Sequence, residues 1–210
     1  MAFLVLVRHG KSEWNEKGLW TGWNDVELNE EGQKDARNMA AQLKDIPLHS
    51  AHTSKLKRAQ QTLDLIKQDL EASGIPTIED EALNERHYGE YAGKNKWEVK
   101  ELVGEEEFQK IRRSWNHPIP GGETMEDVYK RVVPYYEEKI LEELKEGKNV
   151  IVAAHGNSLR ALVKHLENLS EGELMDLEVG LGEVRIYQIS DSGEVAAREI
   201  RGENPNKGKI

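Results

Sequence analysis

Two histidines stand in nearly the same setting at distant points of the chain. Residues 4–10 read Leu-Val-Leu-Val-Arg-His-Gly, and residues 153–158 read Ala-Ala-His-Gly-Asn-Ser. In both, an apolar run ends in a histidine and a glycine: His9 with Gly10, and His155 with Gly156. A neutral imidazole is a nucleophile near pH 7 and can accept a phosphoryl group on nitrogen. The group in transfer spreads negative charge over its equatorial oxygens, so its site needs fixed cations and N–H donors. Arg8, next to His9, and Arg58, in Ser-Lys-Leu-Lys-Arg-Ala-Gln-Gln-Thr, are candidate clamps. The two glycines would let backbone N–H groups approach an anion, and a helix beginning near Asn157 would add its positive end. A carboxylate is needed to handle the proton of the acceptor or leaving oxygen. Two other readings of the histidines stay open at this point. They could be hydrogen-bonded structural residues, or zinc ligands. Zinc needs further ligands, and the best cluster elsewhere is only His49 with His52; no metal is expected.

Bringing two imidazoles to one place falls to the strands that carry them. Phe3–Val7 is short, apolar and without alternation, the pattern of a strand buried on both faces, and residues 149–156 repeat it. Ligands of open α/β sheets gather outside the carboxyl ends of the strands, which is where both histidines would lie. Helical spacing joins Ala36, Met39, Ala40 and Leu43, with Asn29 as cap. It also joins Leu56, Ala59, Leu63, Ile66 and Leu70, in a stretch opened by Ser54. A long amphipathic segment over 122–149 closes at Gly147, and Pro134 inside it predicts a kink or a break. Leu159, Leu162, Val163 and Leu166 define another helix, and Ser170 with Glu173 a capping box. Strands alternating with helices predict an α/β fold, a mainly parallel central sheet flanked by helices on both faces. Residues 183–190 and 194–200, separated by Asp-Ser-Gly, predict a terminal hairpin or a turn between edge strands. One domain over 1–210 is expected, with a loose polar tail from about residue 202.

Of the 210 residues, 29 are Lys or Arg and 39 Asp or Glu, for a net charge of −10. That balance disfavours nucleic acid and anionic lipid as partners, so cations that hold an anion must be concentrated locally. Cysteine is absent, which excludes disulfides and cysteine-bound zinc. The first residues do not read as a leader, and no apolar stretch approaches the roughly 20 residues of a membrane span. A cytoplasmic protein is expected, monomer or homo-oligomer undecided.

Five blocks in order carry a family resemblance: "LVLVRHGKSEWN", "TGWNDVELNEEG", "TSKLKRAQQT", "LNERHYGEYAGKNK" and "AAHGNSLRALVKHLE". Over residues 3 to 177 the chain resembles the cofactor-dependent phosphoglycerate mutases of the histidine phosphatase superfamily. The resemblance implies that His9 is the phosphorylated nucleophile, gripped by Arg8, Arg58 and His155, with Glu85 as general acid and base. It implies that Ser12, Asn15, Thr21, Gly22, Gly156 and Asn157 hold phosphate or substrate oxygens. Tyr88, Lys96, Arg112 and Arg113 would hold the rest of the substrate, above all its carboxylate. The implied activity interconverts 3-phosphoglycerate and 2-phosphoglycerate and is primed by 2,3-bisphosphoglycerate, with no metal. The alternative is a phosphatase of the same superfamily, in which water attacks the phosphohistidine; fold alone does not separate the two. Three departures stand out: only a short segment over 116–128, "LEVGLGEVRIYQI" where relatives carry a Pro-Thr-Gly stretch, and a short tail. No site residue is expected from the second of these. Lys11 is a further departure, expected to face solvent, or else to add to the field of the pocket.

Overall fold

The computed structural model of the chain describes residues 1–202. Its strands are β1 (Ala2–Arg8), β2 (Ser50–Thr53), β3 (Thr77–Glu79), β4 (Val150–Ala154), β5 (Val184–Ile189) and β6 (Val195–Arg201). They form one sheet in the order β3-β2-β4-β1-β5-β6. β1, β4, β2 and β3 pair in parallel, while β5 and β6 add an antiparallel edge. The register between β1 and β4 opposes Arg8 to Ala154. The next residue out from each strand is therefore a histidine, and His9 N–H donates to the Ala154 carbonyl at 2.9 Å. Adjacent parallel strands and this register bring the two His-Gly corners together.

The helices are α1 (Glu13–Glu16), α2 (Glu30–Ala41), α3 (Lys57–Asp69), α4 (Lys96–Val103), α5 (Glu105–Arg113), α6 (Met125–Tyr135), α7 (Leu141–Lys145), α8 (Gly156–Glu167) and α9 (Glu171–Asp176). Side chains alternate across a strand, so β1 and β4 feed two cores. Leu4, Leu6, Val150 and Val152 pack with α6 and α8 on one face. Val5, Val7, Ile151 and Ala153 pack with α2 and α3 on the other. Each of the valines, leucines and the isoleucine contributes about 1.5–3 kcal/mol when fully buried. Both strands are thus committed on both sides, which is why their sequences lack alternation. A third, smaller core of Trp20, Val99, Phe108, Ile111 and Ile119 holds α4 and α5.

The structure refines two of the expected elements. Ser54 opens the stretch that leads into α3, but Leu56 occupies the cap position, without a side-chain hydrogen bond, and the Ser54 hydroxyl faces His155. At Pro134, where a kink or a break was expected, there is no break, but the regular α form ends one residue later. The chain stays helical through Tyr135 and passes into a π turn over Tyr136–Ile140 before α7. The Asn29 cap, the Ser170–Glu173 capping box and the terminal hairpin are present as expected. The expected loose tail falls almost wholly on residues 203–210, which lie outside the described residues.

Candidate active site

His9 is 2% exposed at the end of β1. Its Nδ1 lies 2.7 Å from its neighbour's carbonyl, Gly10 O, so Nδ1 carries the proton and donates. That leaves the lone pair on Nε2, which accepts from Arg58 Nε at 3.4 Å. Burial, then the charges of Arg58 and Arg8, hold the imidazole pKa well below its ordinary value. The ring is held toward its neutral form, and the nitrogen that keeps the lone pair faces a guanidinium.

Arg58 enters from the first turn of α3 and is itself buried. Its other nitrogens donate to Asn24 O at 2.9 Å and Gly22 O at 2.8 Å. Burial lowers its pKa to about 10, so it stays charged at neutral pH. Gly22 has φ +53, and a Cβ there would stand 3.3 Å from Tyr88 N; the turn that presents its carbonyl to Arg58 suits glycine. Arg8 donates from one terminal nitrogen to Val179 O at 2.8 Å, while its Nε is buried without a partner.

His155 leads into α8 and is fully buried against His9, with ring centroids 5.0 Å apart. Burial, Arg58, His9 and Arg8 depress its pKa as well. Glu85 reaches the same place from the loop after the 3-10 turn Glu81–Leu83. Its Oε1 accepts from Arg86 N at 2.7 Å, Asn157 N at 3.2 Å and Asn157 Nδ2 at 3.0 Å. Trp23 Nε1 and Arg131 hold its carbonyl at 2.6 and 3.0 Å. With Oε1 so engaged, Oε2 is the oxygen left for proton transfer. Asn157 Nδ2 also donates to the Tyr88 hydroxyl at 2.8 Å.

A cavity of about 460 Å³ opens over these groups, with a smaller one of about 60 Å³ beside His9. Arg8, Asn15, Glu85, Tyr88 and Lys96 line both. Arg112, Arg113, Gly156 and Asn157 line the larger, and His9, Thr21, Gly22 and Arg58 the smaller. Burial, then Arg112 and Arg8, push the Lys96 pKa down to about 8. Arg112 lies over the Phe108 ring at 5.4 Å, and Arg113 donates to Leu177 O at 3.3 Å. The small core that holds α4 and α5 is what aims these three cations.

Two expected residues do not line either cavity. His155 is fully buried and packs side by side with the His9 ring. Ser12 is the cap of α1: its Oγ donates to Asn15 Oδ1 at 2.8 Å and accepts from Asn15 N at 3.3 Å. It fixes Asn15 rather than offering an oxygen contact of its own. Lys11 lines the larger cavity, bound to Glu31 at 2.8 Å, so its charge is matched at the rim. The segment after α9, from which no site residue was expected, supplies Glu178, Val179 and Leu181 to the wall. Arg160 was also not singled out. It is buried in α8, donates to Asn157 Oδ1 at 2.8 Å, and faces the larger cavity. The available signal was an arginine between Leu159 and Ala161 in an apolar helix stretch.

Buried polar atoms without partners include Arg8 Nε, Arg160 Nε, Thr21 Oγ1 and His155 Nδ1. Each unsatisfied group costs about 1–3 kcal/mol. Arg8, Arg160 and Thr21 among these line the cavities, and with Arg58, Lys96 and Arg112 they fit a compact polyanion. Among the described residues no group of three or more His, Asp or Glu side chains is placed to hold a metal ion.

Comparison with known proteins agrees with this chemistry. Residues 4–199 match the family described as Histidine phosphatase superfamily (branch 1). A 2,3-bisphosphoglycerate-dependent phosphoglycerate mutase of Cytophaga hutchinsonii is 48% identical over 190 residues, covering 90% of this chain and 89% of that one. Its counterpart in Parvibaculum lavamentivorans is 44% identical, covering 94% and 95%. Among solved structures, Bacillus stearothermophilus YhfR superposes with a TM-score of 0.81 at 27% identity, covering 93% of this chain and 96% of its own. The chain belongs to the histidine phosphatase superfamily and, within it, to the 2,3-bisphosphoglycerate-dependent phosphoglycerate mutases.

Proposed function

We propose that this enzyme interconverts 3-phosphoglycerate and 2-phosphoglycerate through a phosphohistidine at His9. With His9 phosphorylated, Glu85 takes the proton of the free hydroxyl of a monophosphoglycerate, and that oxygen attacks phosphorus; the P–N bond breaks, its electron pair returns to Nε2, and the bisphosphate forms in the site. The Nε2 lone pair then attacks the phosphorus at the other carbon, that P–O bond breaks, and Glu85 returns the proton to the departing alkoxide, which leaves the isomer and a phosphorylated His9. Arg8 and Arg58 offset the charge on the equatorial oxygens throughout. Lys96, Arg112 and Arg113 would hold the carboxylate and the phosphate that is not in transfer, with Asn15 and Asn157 on the hydroxyls. 2,3-Bisphosphoglycerate, when bound, supplies the phosphoryl group that charges His9, and the same cations would hold it. A glycolytic interconversion of this kind belongs to the cytoplasm, where we place the enzyme.

The observation that carries the reading is the second set of cations. A phosphatase of the same superfamily needs the group around His9 and a water. It has no need of the three further cations, Lys96, Arg112 and Arg113, that α4 and α5 bring to the larger cavity. An assay started with 3-phosphoglycerate and catalytic 2,3-bisphosphoglycerate tests this. The expected product is 2-phosphoglycerate, with free phosphate forming much more slowly. Phosphate release without the isomer would favour the phosphatase.

A further inference from the structure

Ser54 is buried at the mouth of α3, and the chemistry above has no use for it. Its hydroxyl lies 2.7 Å from His155 Nε2, across 101 residues of sequence. The same oxygen accepts from Leu56 N at 3.2 Å. A serine hydroxyl has one proton, and the backbone N–H beside it is a donor that cannot take that proton. His155 Nε2 is the acceptor within reach. The imidazole is neutral, since burial and the surrounding cations oppose protonation. A neutral ring with an accepting Nε2 carries its proton on Nδ1.

The consequence falls on the nitrogen that is buried without any partner, His155 Nδ1. The His155 Nδ1 accepts no hydrogen bond from the first turn of α8, and the contact there runs the other way, from His155 N–H to Ser158 Oγ at 3.1 Å. The ring is thus free for the site, packed against His9 at 5.0 Å between centroids. We infer that Ser54 is a positioning residue that fixes the Nδ1–H tautomer of His155, so that Nδ1–H is a ready donor to the phosphoryl group in transfer at His9. With the other tautomer, a lone pair would face the phosphoryl oxygens and repel them. The two histidines then hold the same tautomer for opposite purposes. Gly10 O takes the Nδ1 proton of His9 and frees Nε2 to attack; Ser54 occupies Nε2 of His155 and leaves Nδ1–H to stabilise.

This rests on the phosphohistidine reading, and its test separates the two. Nitrogen-15 NMR of the intact enzyme, with His155 assigned by a His155→Gln variant, reads the tautomer directly and needs no substrate. The inference expects a protonated Nδ1 and a bare Nε2 in the native enzyme, and a mixed tautomer in Ser54→Ala. Finding Nε2 protonated in the native enzyme would overturn it, whatever the activity. Kinetically, Ser54→Ala should lower kcat by about 10- to 100-fold, part of what removal of a transition-state donor costs, with KM little changed. Ser54→Thr should restore most of the rate. Equal rates in Ser54→Ala and the native enzyme would also overturn the inference. Failure of the native enzyme to form phosphohistidine would instead overturn the reading beneath it.

Discussion

Lys96, proposed above to bind substrate, shows how burial sets the working range of a cation. Its ammonium lies 5.9 Å from the Trp20 ring, and burial with two neighbouring arginines brings its pKa to about 8. A phosphoglycerate prefers the charged form, so raising the pH through 8 removes a cation that the substrate needs. KM for 3-phosphoglycerate is expected to rise above pH 8, with a limiting slope of about tenfold per pH unit. Lys96→Met should show a high KM at pH 7 already and lose that slope; a KM flat from pH 7 to 9 in the native enzyme would remove Lys96 from substrate binding. The sequence announced this residue only through its block, since a lysine in Gly-Lys-Asn-Lys reads equally well as a solvated side chain. Arg8 and His9 were legible because an apolar strand ends on them. Arg160 was not, because a lone arginine in an amphipathic helix usually marks the wet face. Ser54 was noted only as opening the stretch before α3, because the histidine 2.7 Å from its hydroxyl lies 101 residues away in sequence.

At the scale of elements, the phosphohistidine loop depends on a close backbone approach. A Cβ on Gly32 in α2 would lie 2.1 Å from Lys11 O, and one on Gly10 would lie 2.2 Å from Gly32 O. The first turn of α2 and the loop after β1 thus pack backbone on backbone, directly beside His9. Gly32→Ala is expected to destabilise the protein by about 1–3 kcal/mol in urea titration, the range of overpacking, and to lower kcat by displacing the loop. Gly74→Ala is the control, since open space surrounds that position; equal effects of the two would refute the packing argument. Elements with long apolar periodicity were legible: β1, β4, α2, α3 and α8. β2 and β3 were not, being only four and three residues long, and β3 has no buried side chain. α4 and α5 were hidden differently. Their charged sequence conceals Val99, Phe108 and Ile111, whose partner Trp20 lies far back in the chain.

The whole molecule sets a net charge of −10 against a cavity rich in arginine and lysine. Attraction of a small anion therefore depends on local cations acting against an unfavourable overall field. Raising the ionic strength from about 0.1 M to about 1 M shortens the screening length from about 10 Å to about 3 Å. KM should rise several-fold over that range while kcat changes little, because the buried clamp around His9 is screened less than the open cavity. A KM independent of salt would place substrate capture outside this cavity.

The alternation of strands and helices was enough to expect a parallel sheet with helices on both faces. It could not supply the strand order that makes β1 and β4 neighbours, and the shared site follows from that order. The central claim is that His9 carries the phosphoryl group, and the mass of the intact protein after brief exposure to 2,3-bisphosphoglycerate tests it most directly. The account predicts a gain of one phosphoryl group, mapped to His9 and absent from His9→Ala. A label that persists in His9→Ala would contradict it.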